Sequence, residues 1–144
     1  MIIGIDPDID RCGVFEVDSQ PLFALRNLYL WQIFDLLSFY RSANLRPYVV
    51  IEAGWKNKKG LSFTQNRKRS VDVGRNHAIG QLIEAFCKEF YIEHELFVPS
   101  KRTPVWDHAT LIRLTGMDIK KSNQETRAAV RAVYFSTKGR EVFK

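Results

Sequence analysis

The sequence predicts an α/β fold: a five-stranded mixed sheet, a three-strand antiparallel meander plus parallel strands, flanked by helices. Three observations lead there. Short apolar runs rich in β-branched residues recur, as in "MIIGI" and "YVVIEA". Between and after them lie longer segments with apolar residues at helical spacing. The order is the third observation. Three strands in succession favour a meander, and strands separated by helices favour parallel additions.

Residues 1–6 form an apolar run that ends in Asp6 and read as a strand. "CGVFEVD" (12–18) alternates and reads as a second strand, and "PLFALRNL" (21–28) as a third, with "DSQP" turning between them. In residues 29–44, Leu30, Ile33, Phe34, Leu37 and Tyr40 follow a helical period. Pro47 blocks continuation of that helix, and "YVVIEA" (48–53) is a strand of the buried type. Residues 70–90 read as a long helix with Val71, Ala78, Leu82, Ala85 and Phe86 inward. "HELFVP" (94–99) is a fifth strand. Residues 107–116 are a short helix, started by Asp107 and stopped by Gly116. Residues 122–139 are a last helix. With no repeat, low-complexity tract or linker, residues 1–144 are expected to form one domain.

The composition bounds the function. Hydrophobic residues make up 45% of the 144, enough for a real core. No apolar run reaches membrane-spanning length and no signal peptide is evident, so a soluble, cytoplasmic protein with no membrane partner is expected. Cys12 and Cys87 lack metal or redox spacing and read as free thiols in a reducing compartment. The net charge of +6 favours polyanionic partners. It is concentrated in one stretch: Lys56, Lys58, Lys59, Arg67, Lys68 and Arg69 occur with no acid among them, and Phe63 lies inside. Such a segment can follow a nucleic-acid backbone and stack an aromatic on a base. It can equally be a solvated loop.

The carboxylates carry the chemistry. Asp6 and Glu52 both end apolar, β-branched strands just before a turn. If those strands are neighbours, the two acids meet at the carboxyl edge of the sheet, where open α/β sheets place ligands. Two carboxylates held together repel, and a divalent cation resolves the conflict. Oxygen-only ligation suits Mg²⁺ or Mn²⁺ better than zinc, and His77, His94 and His108 are too scattered for a zinc site. Either acid alone reads as a strand-end residue facing water. Glu125, at the start of the last helix, is a third candidate. "SNQE" also fits a capping box, with Ser122 as N-cap and Glu125 at the third helical position, and that reading needs no metal.

Taken in order, "IIGIDPDIDRCGV", "VVIEAG", "VGRNHAIGQLIEAF", "FVPSKR" and "SNQETRAAVRAV" resemble the successive blocks of RuvC-type Holliday-junction resolvases, within the RNase H-like superfamily. The resemblance spans nearly the whole chain. It implies an RNase H-like fold and a bacterial or phage-encoded enzyme of DNA recombination and repair. Such an enzyme is a homodimer that cuts branched DNA with two divalent metal ions held by acids. Asp6 matches the first-strand Asp, Glu52 the Glu of the fourth strand, and Glu125 the first acid of the final-helix motif. The second acid of that motif is here Ala128, and Asp8 stands where a small Gly usually follows Asp-Pro. Asp8 is a further ligand candidate or a turn residue. Lys101, in "PSKR", is a candidate for the scissile phosphate or a solvated surface Lys. Arg75 and Asn76, in "VGRN", can grip the DNA backbone or be ordinary exposed helix residues.

Three other classes compete. A nucleic-acid-binding protein of the same fold that has lost a metal ligand fits Ala128 but not the retained Asp6 and Glu52. An RNase H-like ribonuclease fits the same acids. An actin-like phosphotransferase needs a Gly-rich phosphate turn and a second similar domain, and "DPDIDRCG" is too acidic for the first.

Overall fold

The computed structural model describes residues 1–19, 22–57 and 67–143. The strands are β1 (Ile2–Asp6), β2 (Cys12–Ser19), β3 (Leu22–Leu28), β4 (Tyr48–Glu52) and β5 (His94–Phe97). The helices are α1 (Leu30–Ser42), α2 (Arg67–Glu89), α3 (His108–Thr115), α4 (Gln124–Phe135) and the single turn α5 (Gly139–Val142). Gly54–Lys56 form one turn of 3-10 helix after β4. The sheet order is β3-β2-β1-β4-β5. β1, β2 and β3 pair antiparallel, while β1–β4 and β4–β5 are parallel. This is the predicted mixed five-stranded sheet. Among the described residues, no helix is long and apolar enough to cross a membrane.

Alternation along the strands divides the core into two layers. Ile3, Ile5, Val14, Val49 and Ile51 face α1 and α2, meeting Ile33, Leu37, Ile83 and Cys87. Phe15, Val17 and Val50 face the other way, onto Ala129, Val130 and Val133 of α4 and Leu111 of α3. By the same period, Asp6 shares the face of Gly4, and Glu52 that of Val50. Both acids therefore belong to the α4 side. Cys12 and Cys87 are buried free thiols, and burial pushes them up to about 11 and about 12.

α4 lies directly on the backbone of β1 and β2. A side chain at Gly4 would run into the Ala129 carbonyl and the Val133 side chain, and one at Gly13 would run into Glu125 and Thr126. The missing Cβ atoms are what allow this close approach.

Three expectations need correction. The inward residues of α2 are Gly80, Ile83 and Cys87, with Phe86 half-buried. Val71, Ala78, Leu82 and Ala85 are exposed. Apolar residues surround this helix, and its rotation is set by Trp55 and Pro7, which fill the space over Gly80. The last helix is broken at Ser136 rather than running to residue 139. The Ser136 hydroxyl donates to the Val133 carbonyl at 2.7 Å, and Thr137 donates to the Glu95 carboxylate from its backbone N–H at 3.1 Å and its hydroxyl at 2.7 Å. These bonds draw the chain away from the helical path. The third correction concerns the helix cap near Glu125 and is given with the site.

Candidate active site

β1 and β4 run parallel with Ile5 opposite Ile51, so the residues that follow, Asp6 and Glu52, end side by side at the carboxyl edge of the sheet. α4 crosses above them. Its N-cap is Asn123, not Ser122: the Asn123 side-chain oxygen accepts from the Thr126 N–H at 2.9 Å, and the Thr126 hydroxyl accepts from the Asn123 N–H at 3.0 Å. The capping box thus closes on Thr126. Ser122 is drawn instead to His108 Nδ1, at 2.7 Å from its hydroxyl. Glu125, one residue earlier than the box requires, is not consumed by the cap. Asp6, Glu52, Glu125 and Asp8 all line one cavity of about 240 Å³, together with Ala128 and Arg131. A second, of about 160 Å³, lies on the α2 side of Asp6 and Glu52, against Trp55 and His77. Burial pushes the His77 imidazole below its usual value, which favours its neutral form.

Electrostatics set Asp6 apart. Burial, and then the Glu52 carboxylate, push its carboxyl well above the usual carboxylate range. Arg131 opposes them, and Glu125 and Asp8 add to the push. No hydrogen bond reaches the Asp6 carboxyl from the described residues. Glu52 is provided for: Arg131 Nη2 lies 2.8 Å from Glu52 Oε2, with both side chains largely buried. Asp8 works in the turn after β1. Its Oδ1 accepts from the Asp10 N–H at 2.8 Å, and its Oδ2 from Asn76 Nδ2 at 3.2 Å. Asn76 Oδ1 accepts from the Ile9 N–H at 2.8 Å, so the turn is fastened to α2.

Among the described residues, no three His, Cys, Asp or Glu side chains are gathered into a ready-made metal cage. The donors nevertheless have the character a hard cation requires. They are all oxygen, they surround a half-buried carboxylate with no hydrogen-bond partner among the described residues, and their negative charge is only partly offset by Arg131. Among the described residues Asp6 and Glu125 are the donors without hydrogen-bond partners, and Asp8 and Glu52 adjoin them.

Of the remaining predicted residues, Lys101, Lys56 and Arg75 line neither cavity. Lys101 is exposed on the turn after β5, outside the cavity lining. Lys56 is exposed at the end of the 3-10 turn. Arg75 is exposed, 3.9 Å from Asp72. Arg67, Lys68 and Arg69 form the first turn of α2. Lys58, Lys59 and Phe63 lie outside the described residues.

Sequence reasoning missed two features. Arg131 enters the acid cluster from the third turn of α4; its only signal was a cation inside the apolar stretch "AAVRAV". On the turn that carries Asp8, Arg11 donates to the Tyr29 hydroxyl at 2.9 Å and lies 4.7 Å from that ring's centre. Tyr29 stacks on Trp31, which is 59% exposed. The signal was "YLWQ", read only as helix.

Adjacent strand-end acids beneath a crossing helix, on a β3-β2-β1-β4-β5 sheet, define an RNase H-like architecture. Among solved structures the chain is similar to RuvC of Thermus thermophilus in complex with a Holliday junction substrate, with a TM-score of 0.54 and 13% identity over 91% of this chain and 88% of that one. A second Thermus thermophilus RuvC structure aligns over 91% and 89% at 13% identity, with a TM-score of 0.47. The fold is RuvC-like, on the strength of the first. No protein-family model matches the chain, and no curated protein does.

Proposed function

We propose that this chain is a divalent-metal-dependent endonuclease that cuts branched DNA, of the Holliday-junction resolvase kind. The observation that carries the reading is the meeting of Asp6, Glu52 and Glu125 from three separate elements, with the Asp6 carboxyl half-buried and without a hydrogen-bond partner among the described residues. The RuvC-like fold and its junction-bound neighbour support branched DNA as the substrate. The net charge of +6 and the basic segment 56–69 support a nucleic-acid partner. A cytoplasmic, bacterial or phage-encoded protein of one nuclease domain, acting as a homodimer on two strands of one junction, fits this role.

Asp6 is the central metal ligand, with Glu125 beside it and Asp8 and Glu52 at the margin. Bound Mg²⁺ or Mn²⁺ would supply the charge that activates water and stabilises the leaving 3′ oxygen. The chain's own part is positional. β1 fixes Asp6, the Asn123 cap fixes the first turn of α4 and hence Glu125, and Asn76 fixes the Asp8 turn. Lys56, Lys58, Lys59, Arg67, Lys68, Arg69 and Arg75 supply phosphate contacts, and Phe63, with the exposed Tyr29–Trp31 stack, offers ring faces to unpaired bases. Lys101, exposed on the 100–103 turn, is a further candidate for contact with the cut phosphate.

A second reading has its own observation: Ala128 offers no donor, and Glu52 is already ion-paired. On that reading the protein binds junctions without cutting them. Labelled four-way junction, linear duplex and RNA–DNA hybrid, each with Mg²⁺ or Mn²⁺, separate the cases. The proposal expects junction cleavage by the wild type and none by Asp6→Asn, which lacks the charge to hold a cation. Binding without cleavage favours the second reading, cleavage of the hybrid alone favours a ribonuclease, and near-normal cleavage by Asp6→Asn removes the mechanism.

A further inference from the structure

We infer that Arg131 stands in for a second metal ion, so that this site takes one divalent cation per chain instead of two. The inference rests on the metal-dependent reading above and narrows it.

Arg131 lies three residues after Ala128 and six after Glu125, on one side of α4. Ala128 is small and adjoins the same cavity, so the long side chain passes it to reach Glu52 at 2.8 Å. Two backbone carbonyls hold the guanidinium from behind: Nη1 donates to Pro104 at 3.2 Å and to Thr103 at 3.5 Å. The Phe97 ring centre is 6.0 Å from the guanidinium carbon. Arg131 is only 5% exposed, and its Nε has no partner among the described residues. A buried guanidinium with an unmet donor is costly for stability alone. It is also permanently charged, so unlike a metal ion it cannot leave.

The donor set points the same way. Ala128 supplies no carboxylate, and Asp8, the extra acid of the cluster, has one oxygen engaged by the Asp10 N–H and the other by Asn76. Arg131 adds one fixed positive charge against Glu52. Glu52 also has its Oε2 engaged, which leaves Asp6 and Glu125 as the acids without a hydrogen-bond partner among the described residues. Arg131 is a positioning residue: it holds Glu52 and neutralises one side of the cluster.

The test is a count. Metal-stripped protein is titrated with Mn²⁺, and free Mn²⁺ is followed by electron paramagnetic resonance, with no DNA present. The wild type should bind one ion per chain. Arg131→Gln, which frees Glu52 and removes the fixed charge, should bind two, and Arg131→Lys should return to one. Two ions on the wild type overturn the inference and leave the nuclease reading intact. One ion on both wild type and Arg131→Gln, the variant being folded by circular dichroism, removes the role of Arg131. No ion on the wild type removes the metal-dependent reading itself. If Arg131→Gln does not fold, the wild-type count decides, with Asp6→Asn as the variant that should bind none.

Discussion

Gly13→Ala tests the seating of α4 and the placement of Glu125 at once. The added methyl would lie 2.7 Å from the Thr126 nitrogen and closer still to the Glu125 carbonyl. An ordinary contact there is about 3.4 Å, so the first turn of α4 must withdraw by roughly 1 Å. Overpacking of this kind costs about 1–3 kcal/mol. For a chain of this size that lowers the melting temperature by about 3–10 °C. Glu125 moves with its own carbonyl, and a displacement of about 1 Å at a reacting centre can cost on the order of 100-fold in rate. Gly74→Ala is the matched control. It lies in α2 with nothing within 4 Å of the new methyl and should stabilise by about 0.5–1 kcal/mol. Thermal melts and single-turnover junction cleavage are measured for both. A Gly13→Ala protein that melts lower yet cuts at the wild-type rate would refute the positional argument for Glu125. One that also melts like wild type would refute the helix seating.

Asn123→Ala removes the α4 cap and the 2.6 Å bond to Asn27, and should cost about 1–2 kcal/mol in melts. Glu125→Gln should melt near the wild type but lose cleavage, and full activity in that variant excludes Glu125 as a ligand. Neutralising Lys58, Lys59, Lys68 and Arg69 together should flatten the salt dependence of DNA binding by roughly 0.9 in log–log slope per lost phosphate contact. An unchanged slope means the segment is only solvated surface. Burial, with the 2.6 Å bond to Glu16, pushes the Tyr40 phenol up to about 12. Its contribution to stability is therefore complete below pH about 10 and is lost as pH rises toward 12, on the order of 1–2 kcal/mol. Melting temperature should fall more steeply over that range in wild type than in Tyr40→Phe, and parallel curves would exclude the linkage.

The sheet was legible because its signals are local. "MIIGID" and "YVVIEA" each end an apolar strand in an acid, and strand periodicity alone puts Asp6 and Glu52 on one face once their strands pair. What failed depended on partners distant in sequence. Val71, Leu82 and Ile83 are all apolar, and distant packing decides which of them turns inward: Trp55 and Pro7 lie over Gly80, and Ile83 joins the core beneath β1 and β4. Ser122 and Asn123 can both cap a helix, and each has a possible box partner three residues on. His108 takes Ser122, and Asn123 caps. The pairing of Arg131 leaves no local signal because its partner, Glu52, is 79 residues away.

The position of Arg131 on the crossing helix bears on how the chain folds. Pairing of β1 with β4 already brings Asp6 and Glu52 together, across a separation that makes it a slow, non-local step. While that edge is open, water screens the two acids and they can coexist. Covering them removes the screening, and a purely apolar lid would have to overcome their repulsion as it closed. α4 brings its own counter-charge: the same docking event that excludes water delivers the guanidinium to Glu52. Closure and neutralisation are therefore coupled, and partly closed states with bare buried acids are disfavoured. The charge that would oppose the last step of assembly becomes a reason for α4 to seat in one register only.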